Sequence, residues 1–506
     1  MRKLIVLVAF AGCAPGGPPA TVIYASGADL QSINPLVTVH PLARQVQKHV
    51  LFTTLARYDS AMVAQPYLAD WSWSADRRSL TFELREGVNW HDGRPTTSAD
   101  VAFTLDAARD PATVYPRAAE LACLVGVAVT GPRTVRLDFC RPQERLPDVL
   151  TDLAILPAHL LRDVPRALMR TAAFNEHPVG NGPFRFRSHR PGRRWVFEAN
   201  RSFSEQLGGP PRIERLVIVV VDEPTTKLAA LVSGELDFAG IAPLHAGILA
   251  KVPGRRVLDY PLLYTYGLFW NTRRPPFDDP ALRRALTMAM DRERLVQAHV
   301  FGFGRPAHGP VPPEHPGAVA VEPIPFDREA AERALDSLGW LRGSDGVRAR
   351  GAQRLSFDLL TVGSADNVLE QLIQSDLARV GVELRIRQRE LGAFLATVHG
   401  AERDYDAVVT GVSGDLEMGW LQALFDSRRR SGPLQYAQYS NPELDRALDA
   451  RDFAAVQRIV AREVPVTFLY HGRGVQGVRD RVEGVRMDLR GELVSVAQWR
   501  VRPELR

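Results

Sequence analysis

The sequence predicts a mixed α/β protein built from more than one domain. Its 506 residues are too many for a single hydrophobic core. An apolar segment at residues 213–221 is followed by Pro224, at the first position of a helix, and by a new strand from Leu236. Residues 355–386 repeat this strand–helix–strand order, with apolar spacing that changes from alternate positions to every third or fourth position and back. Strands that alternate with helices are typical of mixed α/β folds.

Composition and motifs exclude several classes of function. A hydrophobic content of 45% and a charged content of 24% are those of an ordinary globular protein. The net charge of +5 is small for this length, and no basic block is interleaved with aromatic residues, so nucleic-acid binding is not predicted. No HExxH, complete Gly-x-Ser-x-Gly or Cys-x-x-Cys motif occurs. We therefore predict no catalytic residue, cofactor or metal site, although His245, His308 or His471 stays open as a single metal ligand.

The N-terminus indicates export. A short cationic segment, residues 1–3, precedes an apolar segment, residues 4–11, that is too short to span a bilayer. Phe10-Ala11-Gly12-Cys13 looks like a bacterial lipoprotein processing site, in which Cys13 becomes the lipidated first residue. The alternative is a signal peptide with a chance cysteine. The Pro/Gly-rich residues that follow are predicted to form a flexible tether.

Residues 67–105 predict a strand, a turn and a capped helix. Apolar and polar residues alternate at positions 80–84, which is the period of a half-buried strand. His91-Asp92-Gly93 predicts a turn. Thr97 is a good N-cap, and Asp100 three residues later occupies the capping-box position.

Two cysteines flank a predicted hairpin with a Gly-Pro turn. In the register that places Thr130 opposite Arg133, Cys123 lies opposite Cys140. An exported protein meets an oxidising compartment, so we expect a cross-strand disulfide between these two cysteines. The alternative is two buried free thiols.

Four strings along the chain identify its relatives: LREGVNWHDGRPTTSADVAFTL at residues 84–105, PVGNGPF at 178–184, YGLFWN from 266 and LRRALTMAMDRERL at 282–295. They resemble, in the same order, strings of the extracellular solute-binding proteins of family 5, the large peptide- and nickel-binding proteins of ABC importers. The chain resembles this family from about residue 21 to its end. We expect the glycines of the second string to adopt backbone angles closed to other residues.

The resemblance implies a two-lobed periplasmic binding protein of type II, the Venus-flytrap kind, with an extra subdomain inserted in the first lobe. The expected divisions are a signal peptide at 1–12, a tether at 13–20, lobe I at 21–42, 176–268 and 472–506, the inserted subdomain at 43–175 and lobe II at 269–471.

The implied function is non-catalytic. Di- or oligopeptides would be captured between the lobes and delivered to a membrane permease driven by a separate ATPase. The implied form is a monomer in the periplasm, anchored to a bacterial membrane through lipidated Cys13. The alternatives are a nickel-metallophore, sugar or opine ligand on the same scaffold, or a hydrolase that has adopted it.

The resemblance also assigns a candidate ligand anchor, Asp415. In peptide-binding members, an aspartate in a Gly-Trp-x-x-Asp segment binds the α-ammonium group of the peptide. Gly411 and Asp415 have that spacing here, but Val412 replaces the tryptophan and the usual downstream Asp-Pro is absent. The alternative is a surface-loop aspartate.

Four further residues are ligand-binding candidates. Trp270 and Asn271 lie in a segment that lines the cleft in the family, and Trp420 is placed to stack on a ligand. The alternative for either tryptophan is a core aromatic. Asn34, in the loop after the first strand, is the fourth candidate, and its alternative is an ordinary Asn-Pro turn.

Overall fold

The structure is a computed structural model that describes residues 20–38, 40–363, 367–400 and 402–502. The predicted signal peptide and the lipidation site at Cys13 lie outside the described residues.

The strands are β1 (Thr21–Ser26), β2 (Ala56–Tyr58), β3 (Ala64–Pro66), β4 (Ala69–Trp73), β5 (Ser79–Leu84), β6 (Leu124–Val129), β7 (Thr134–Phe139), β8 (Phe184–Arg190), β9 (Arg194–Ala199), β10 (Arg215–Val220), β11 (Phe238–Gly240), β12 (Arg255–Trp270), β13 (Gly304–Pro306), β14 (Leu341–Arg342), β15 (Arg348–Arg350), β16 (Gln353–Arg354), β17 (Ser356–Val362), β18 (Glu383–Arg389), β19 (Ala407–Ser413), β20 (Val466–Arg479), β21 (Val482–Glu483) and β22 (Arg500–Val501). The α-helices are α1 (Pro41–Val46), α2 (Ser98–Arg109), α3 (Val149–Asp152), α4 (Ala158–Leu161), α5 (Pro224–Ser233), α6 (Pro243–Leu249), α7 (Pro280–Met288), α8 (Arg292–Val300), α9 (Arg328–Ser337), α10 (Val368–Arg379), α11 (Leu391–His399), α12 (Gly419–Phe425), α13 (Pro442–Asp449) and α14 (Phe453–Glu463).

The largest sheet is mixed and runs through the molecule in the order β18-β17-β19-β12-β20-β11-β1-β10-β9-β8, with β13 paired to β20. β1 is parallel to β10 and β11, while β17 is parallel to β18 and β19. Both predicted strand–helix–strand units are present, as β10-α5-β11 and β17-α10-β18. The mixed α/β class is therefore confirmed.

The long antiparallel strands β12 and β20 contribute to both halves of this sheet. We call the half with β1 and β8–β11 lobe I, and the half with β17–β19 lobe II. The pairing of β12 with β20 shifts register between Pro261 and Thr265 and again between Tyr266 and Gly267. These irregularities lie where the chain crosses from one lobe to the other.

The chain between β1 and β8 forms the inserted subdomain, built around the sheet β4-β5-β7-β6. The predicted strand is present as β5, with Leu80, Phe82 and Leu84 buried on one face. Helix α2 begins after Thr97, and the reciprocal capping box with Asp100 is formed. The same carboxylate accepts from the Trp90 indole at 3.3 Å, so the cap also fixes the preceding turn.

Cys123 and Cys140 form the expected disulfide. The predicted register holds at this end of the hairpin, where the Cys140 amide donates to the Cys123 carbonyl at 2.8 Å. It is wrong by one residue near the turn, because an irregularity after Leu124 makes Thr130 pair with Thr134. A bulge adds one residue to one strand, and alternation alone does not reveal it.

The buried residues show which parts of the chain pack as one body. One continuous core joins the subdomain to lobe I, and includes Phe52 and Phe82 from the subdomain with Phe184 and Trp499 from lobe I. Two other cores, containing Trp270 and Phe269, draw their residues from lobe II. The lobe II cores are therefore separate from the core of lobe I and the subdomain, and β12 and β20 join the two lobes.

The Gly-rich string at residues 178–184 joins the subdomain to lobe I by close backbone approach. Gly180 and Gly182 do not have the unusual backbone angles we expected. Instead, a Cβ atom at either position would collide with the backbone of Leu51. His91 stabilises this contact. Its Nδ1 accepts from the Gly180 amide at 3.2 Å, and its Nε2 lies 3.0 Å from the Gly182 carbonyl.

Candidate ligand-binding site

A cavity of about 790 Å³ opens between the subdomain, lobe I and lobe II. This volume lies within the range of about 300–1,000 Å³ that is usual for small-ligand sites. The lobe II wall is the turn after β19, at Gly414, Asp415 and Leu416. The other walls carry aromatic and charged residues of the subdomain and lobe I: Arg44, Lys48, Tyr58, Tyr67, Arg117, Asp148, Asp152, Phe203, Tyr260 and Glu492.

Asp415 presents a carboxylate oxygen to this cavity. Its Oδ1 accepts from the Leu416 amide at 2.7 Å, while Oδ2 has no hydrogen-bond donor among the described residues. Likewise, no described cation forms an ion pair with Asp415. The sequence candidate is therefore a half-exposed cavity residue with free acceptor capacity.

His315 holds the Asp415 turn in place. Its Nδ1 accepts from the Gly317 amide at 2.8 Å, which assigns the proton to Nε2, 3.1 Å from the Asp415 carbonyl. Burial lowers the pKa of His315, which favours this neutral form. Sequence reasoning missed His315, because it lies 100 residues from the turn and belongs to no motif.

The other four candidates do not line the cavity. Trp270 is fully buried in a lobe II core, where it stacks on Phe277 and donates to Thr467 at 3.0 Å. Asn271 is buried and donates to the backbone carbonyls of residues 403 and 405. For these two residues the structure supports a structural role, because their polar groups are already occupied by the protein.

Trp420 and Asn34 also serve the scaffold. The Trp420 ring packs under Gly414, 3.4 Å from the position that a Cβ atom would take there. It therefore supports the turn next to Asp415 from behind. Asn34 is buried, donates to Asn175 at 2.8 Å and accepts from the Leu36 amide at 3.0 Å, which is the Asn-Pro turn alternative.

A cluster of three cations surrounds Asp152 at one end of the cavity. Arg44 Nη2 lies 2.6 Å from Asp152 Oδ2, Lys48 Nζ lies 2.8 Å from Oδ1, and Arg117 also bonds Oδ2. Burial alone would raise the pKa of Asp152, but the charges of Lys48, Arg44 and Arg117 outweigh burial and hold the pKa well below its ordinary value. This carboxylate is saturated by the protein.

Asp148 lies four residues earlier, just before helix α3, and is poorly paired. It is 4% exposed, and Tyr58 donates to its Oδ1. Its Oδ2 has no hydrogen-bond partner, and the nearest cation is Arg145 Nη2 at 3.6 Å. Burial raises the pKa of Asp148, and the charge of Asp415 adds to that rise.

Glu492 forms part of the lobe I wall and is held by neutral groups. The hydroxyls of Tyr24 and Tyr260 contact its two oxygens, with 2.7 Å for the Tyr260 bond. Tyr260 reaches it by lying flat over Gly474 of the neighbouring strand, where a Cβ atom would overlap the ring. Burial raises the pKa of Glu492 to about 7.

The described ranges lack a metal-binding cluster and a membrane-spanning helix. They contain no group of three or more His, Cys, Asp or Glu side chains arranged to hold a metal ion. None of their helices combines the length and the apolar character that crossing a bilayer requires.

Comparison with known proteins places the chain in a family. Residues 64–429 match the model of the bacterial extracellular solute-binding proteins, family 5 Middle. The chain belongs to this family. It is 31% identical over 432 residues to Protein XP55 of Streptomyces lividans, a match that covers 82% of this chain and 77% of the relative.

Other proteins are similar to this chain over nearly its whole length. The oligopeptide-binding protein AppA of Bacillus subtilis is 25% identical, with 89% of this chain and 86% of AppA covered. Its structure in complex with a nonapeptide superimposes with a TM-score of 0.73 at 23% identity, over 96% of this chain and 100% of that chain. NikZ of Campylobacter jejuni, solved in complex with Ni(L-His), has a TM-score of 0.76 at 23% identity, with the same coverage. The two-lobed fold with its inserted subdomain is thus confirmed.

Proposed function

We propose that this chain is the substrate-binding component of an ABC importer that captures short peptides between its lobes. The observation that carries the proposal is the free carboxylate oxygen of Asp415, on the lobe II wall of a cavity whose other walls belong to lobe I and the subdomain. The oligopeptide-binding name of AppA supports the same ligand class.

The role of Asp415 follows from its surroundings. An α-ammonium group that leaves water needs a charged acceptor, and a charge-assisted hydrogen bond contributes roughly 1.5–3 kcal/mol net. A ligand held at once by Asp415 and by the opposite walls binds the closed form more tightly than the open form. Ligand binding therefore shifts the open–closed balance toward closure.

The proposal includes the rest of the predicted biology. The protein would be a non-catalytic, periplasmic monomer that docks on a permease served by a separate ATPase. Cys13 would carry the lipid anchor that holds it at the membrane. The predicted domain divisions at residues 43, 176, 269 and 472 are part of this proposal.

Native mass spectrometry of the gently purified protein, followed by release and identification of the bound mass, tests the ligand class. We expect a ladder of short peptides, and we expect Asp415→Asn to lose most of it because the uncharged amide weakens ammonium binding about 10- to 100-fold. A single non-peptide mass or a metal complex would overturn the peptide assignment and favour the metallophore, sugar or opine alternative.

Asp59→Asn is the matched control. Asp59 lines the same cavity, but its Oδ1 is occupied by the amides of Ala61 and Val63, each at 2.9 Å. The control changes the cavity charge by the same amount as Asp415→Asn. It is expected to keep the peptide ladder, so a loss in both variants would indicate a general effect of charge.

A further inference from the structure

The turn that carries Asp415 meets the inserted subdomain at a charged contact. Arg145 of the subdomain lies 3.0 Å from Glu417 Oε1 and 3.5 Å from the Leu416 carbonyl, both in lobe II. The same guanidinium nitrogen, Nη2, lies 3.6 Å from Asp148 Oδ2. Arg145 thus links the Asp148 carboxylate of the subdomain to the lobe II turn that carries Asp415.

The charges at this contact do not balance. Asp148, Asp415 and Glu417 supply three carboxylates, while Arg145 and Arg451, which pairs with Glu417, supply two guanidinium groups. Burial lowers the pKa of His315, so this side chain is not counted as a cation. Arg117 also acts on Asp148, but its guanidinium is bonded to Asp152 and Glu120. Arg141 and Glu144 also act on Arg451 and cancel each other in charge, so the groups at this contact include one more carboxylate than guanidinium groups.

A cation that would balance this charge has a defined place. Asp148 and Asp415 both line the cavity, and each has a carboxylate oxygen, Oδ2, without a hydrogen-bond donor among the described residues. A buried acceptor without a donor is costly, and an ordered water, an ion or a ligand group can satisfy it. An ammonium group supplies three N–H donors, enough for two carboxylates and one further acceptor.

We propose that Asp148 is a second anchor for the ligand ammonium, which it shares with Asp415 across the boundary between the subdomain and lobe II. The inference rests on the proposed function, since the cation is the amino terminus of the bound peptide. A single ammonium group then contacts both bodies, and it neutralises the carboxylates that closure brings together. Ligands without a free amino group would leave both carboxylates unpaired in the closed form.

Binding of an equimolar library of unmodified tetrapeptides, compared with its N-acetylated counterpart, tests this assignment. The readout is the ratio of the two apparent affinities, measured by native mass spectrometry for the wild type, Asp148→Asn, Asp415→Asn and the double variant. We expect each single variant to reduce the preference for free amino termini about tenfold, as for the loss of one charge-assisted bond. The double variant should lose less than the sum of the two, because both anchors hold one group.

Two controls separate an anchor from a structural role. Asp148→Glu keeps the charge and should retain most of the preference, while Asp449→Asn, which removes an exposed carboxylate outside the cavity, should leave it unchanged. Small-angle X-ray scattering at saturating peptide should show compaction in the wild type and a smaller change in Asp148→Asn.

The outcomes are distinguishable. Undiminished preference and compaction in Asp148→Asn, alongside a clear loss in Asp415→Asn, would overturn the second anchor and leave the proposed function intact. A wild type that binds no tetrapeptide of the library would overturn the proposed function, and the second anchor with it.

Discussion

Asp148 and Asp152 lie at either end of one short helix, and both line the same cavity, yet their surroundings are opposite. Asp152 is bonded by Arg44, Lys48 and Arg117. Asp148 has one tyrosine donor and a single guanidinium at 3.6 Å. The pKa of Asp152 is lowered by its partners, whereas the pKa of Asp148 is raised by burial.

The comparison distinguishes a carboxylate with a structural role, Asp152, from one that we propose binds the ligand, Asp148. Asp152 joins α1, the π-helical turn after it and the segment around Arg117, so its charge is used inside the fold. Asp148 faces lobe II, which contributes another carboxylate and no free cation among its described residues at this contact. Charge that is left unpaired in a cavity is the usual mark of a functional site.

The largest test of the contrast is Asp152→Asn. Breaking a buried ion cluster from one side leaves cations without a counter-charge, and we expect a loss of about 3–5 kcal/mol in the free energy of unfolding at pH 7. Denaturant unfolding measures it. Because the folded-state pKa lies below the unfolded value, this stabilisation is present above about pH 4 and falls as the pH drops toward the folded-state pKa.

The matched control is Asp449→Asn, which removes an exposed ion pair to Arg428 at 2.6 Å. It should cost less than about 1 kcal/mol. If Asp152→Asn lowered the free energy of unfolding by no more than this control does, the ion cluster around Asp152 would contribute little to stability. The distinction drawn between Asp152 and Asp148 would then be wrong.

A second test uses Glu492, the cavity carboxylate that is held by tyrosine hydroxyls. Its folded-state pKa of about 7 lies above the ordinary value, so the folded protein retains a proton that the unfolded chain releases. Stability from this group is therefore complete below about pH 4.5 and is lost as the pH rises through 7. The groups that donate to Glu492 are the neutral hydroxyls of Tyr24 and Tyr260, and Gln476 lies behind them, 3.4 Å from the Tyr24 hydroxyl.

We expect Glu492→Gln to flatten this dependence. The wild type should lose about 1–3 kcal/mol between pH 5 and pH 8 relative to the variant, since tyrosine donors offset part of the burial cost. Thermal unfolding of both proteins without ligand across this range gives the comparison. Parallel pH profiles would show that Glu492 is ionised at little cost.

Local patterns in the sequence were sufficient for much of the fold. The capping box at Thr97, the strand at residues 80–84 and the pairing of Cys123 with Cys140 each depend on neighbours in sequence or on one hairpin. The two-lobed architecture came from strings shared with the family rather than from periodicity. A bulge and the close approach at Gly180 were missed, because both are set by a partner strand or a distant backbone.

The site was less accessible to sequence reasoning. Asp415 was found from a spacing, and it lines the cavity. Trp270 and Asn271 do not line the cavity, because packing and hydrogen bonds inside lobe II bury both side chains, and these contacts come from residues distant in sequence. Asp148 and the cluster around Asp152 were missed, since residues 44, 48, 117 and 152 come together only in the fold.

Asp148→Asn has the smallest expected effect on stability. It tests most directly whether Asp148, unlike Asp152, is not needed for the fold. Tyr58 can still donate to the asparagine oxygen, and a buried charge without a close counter-ion is removed. We expect the ligand-free variant to unfold within about 1 kcal/mol of the wild type at pH 7, with the sign toward greater stability. The groups that act on Asp148 include Tyr58, Arg145, Arg117 and Asp415.

The pH dependence gives this effect its sign. The folded-state pKa of Asp148 is raised, so the protonated form is favoured in the fold and stability is lost as the pH rises through that pKa. The variant should therefore match the wild type near pH 4 and exceed it slightly at pH 8, in denaturant unfolding without ligand. A loss above about 2 kcal/mol would place Asp148 with Asp152 as a structural carboxylate. A small gain in stability, together with weaker binding of free amino termini, is what a residue kept for its ligand should show.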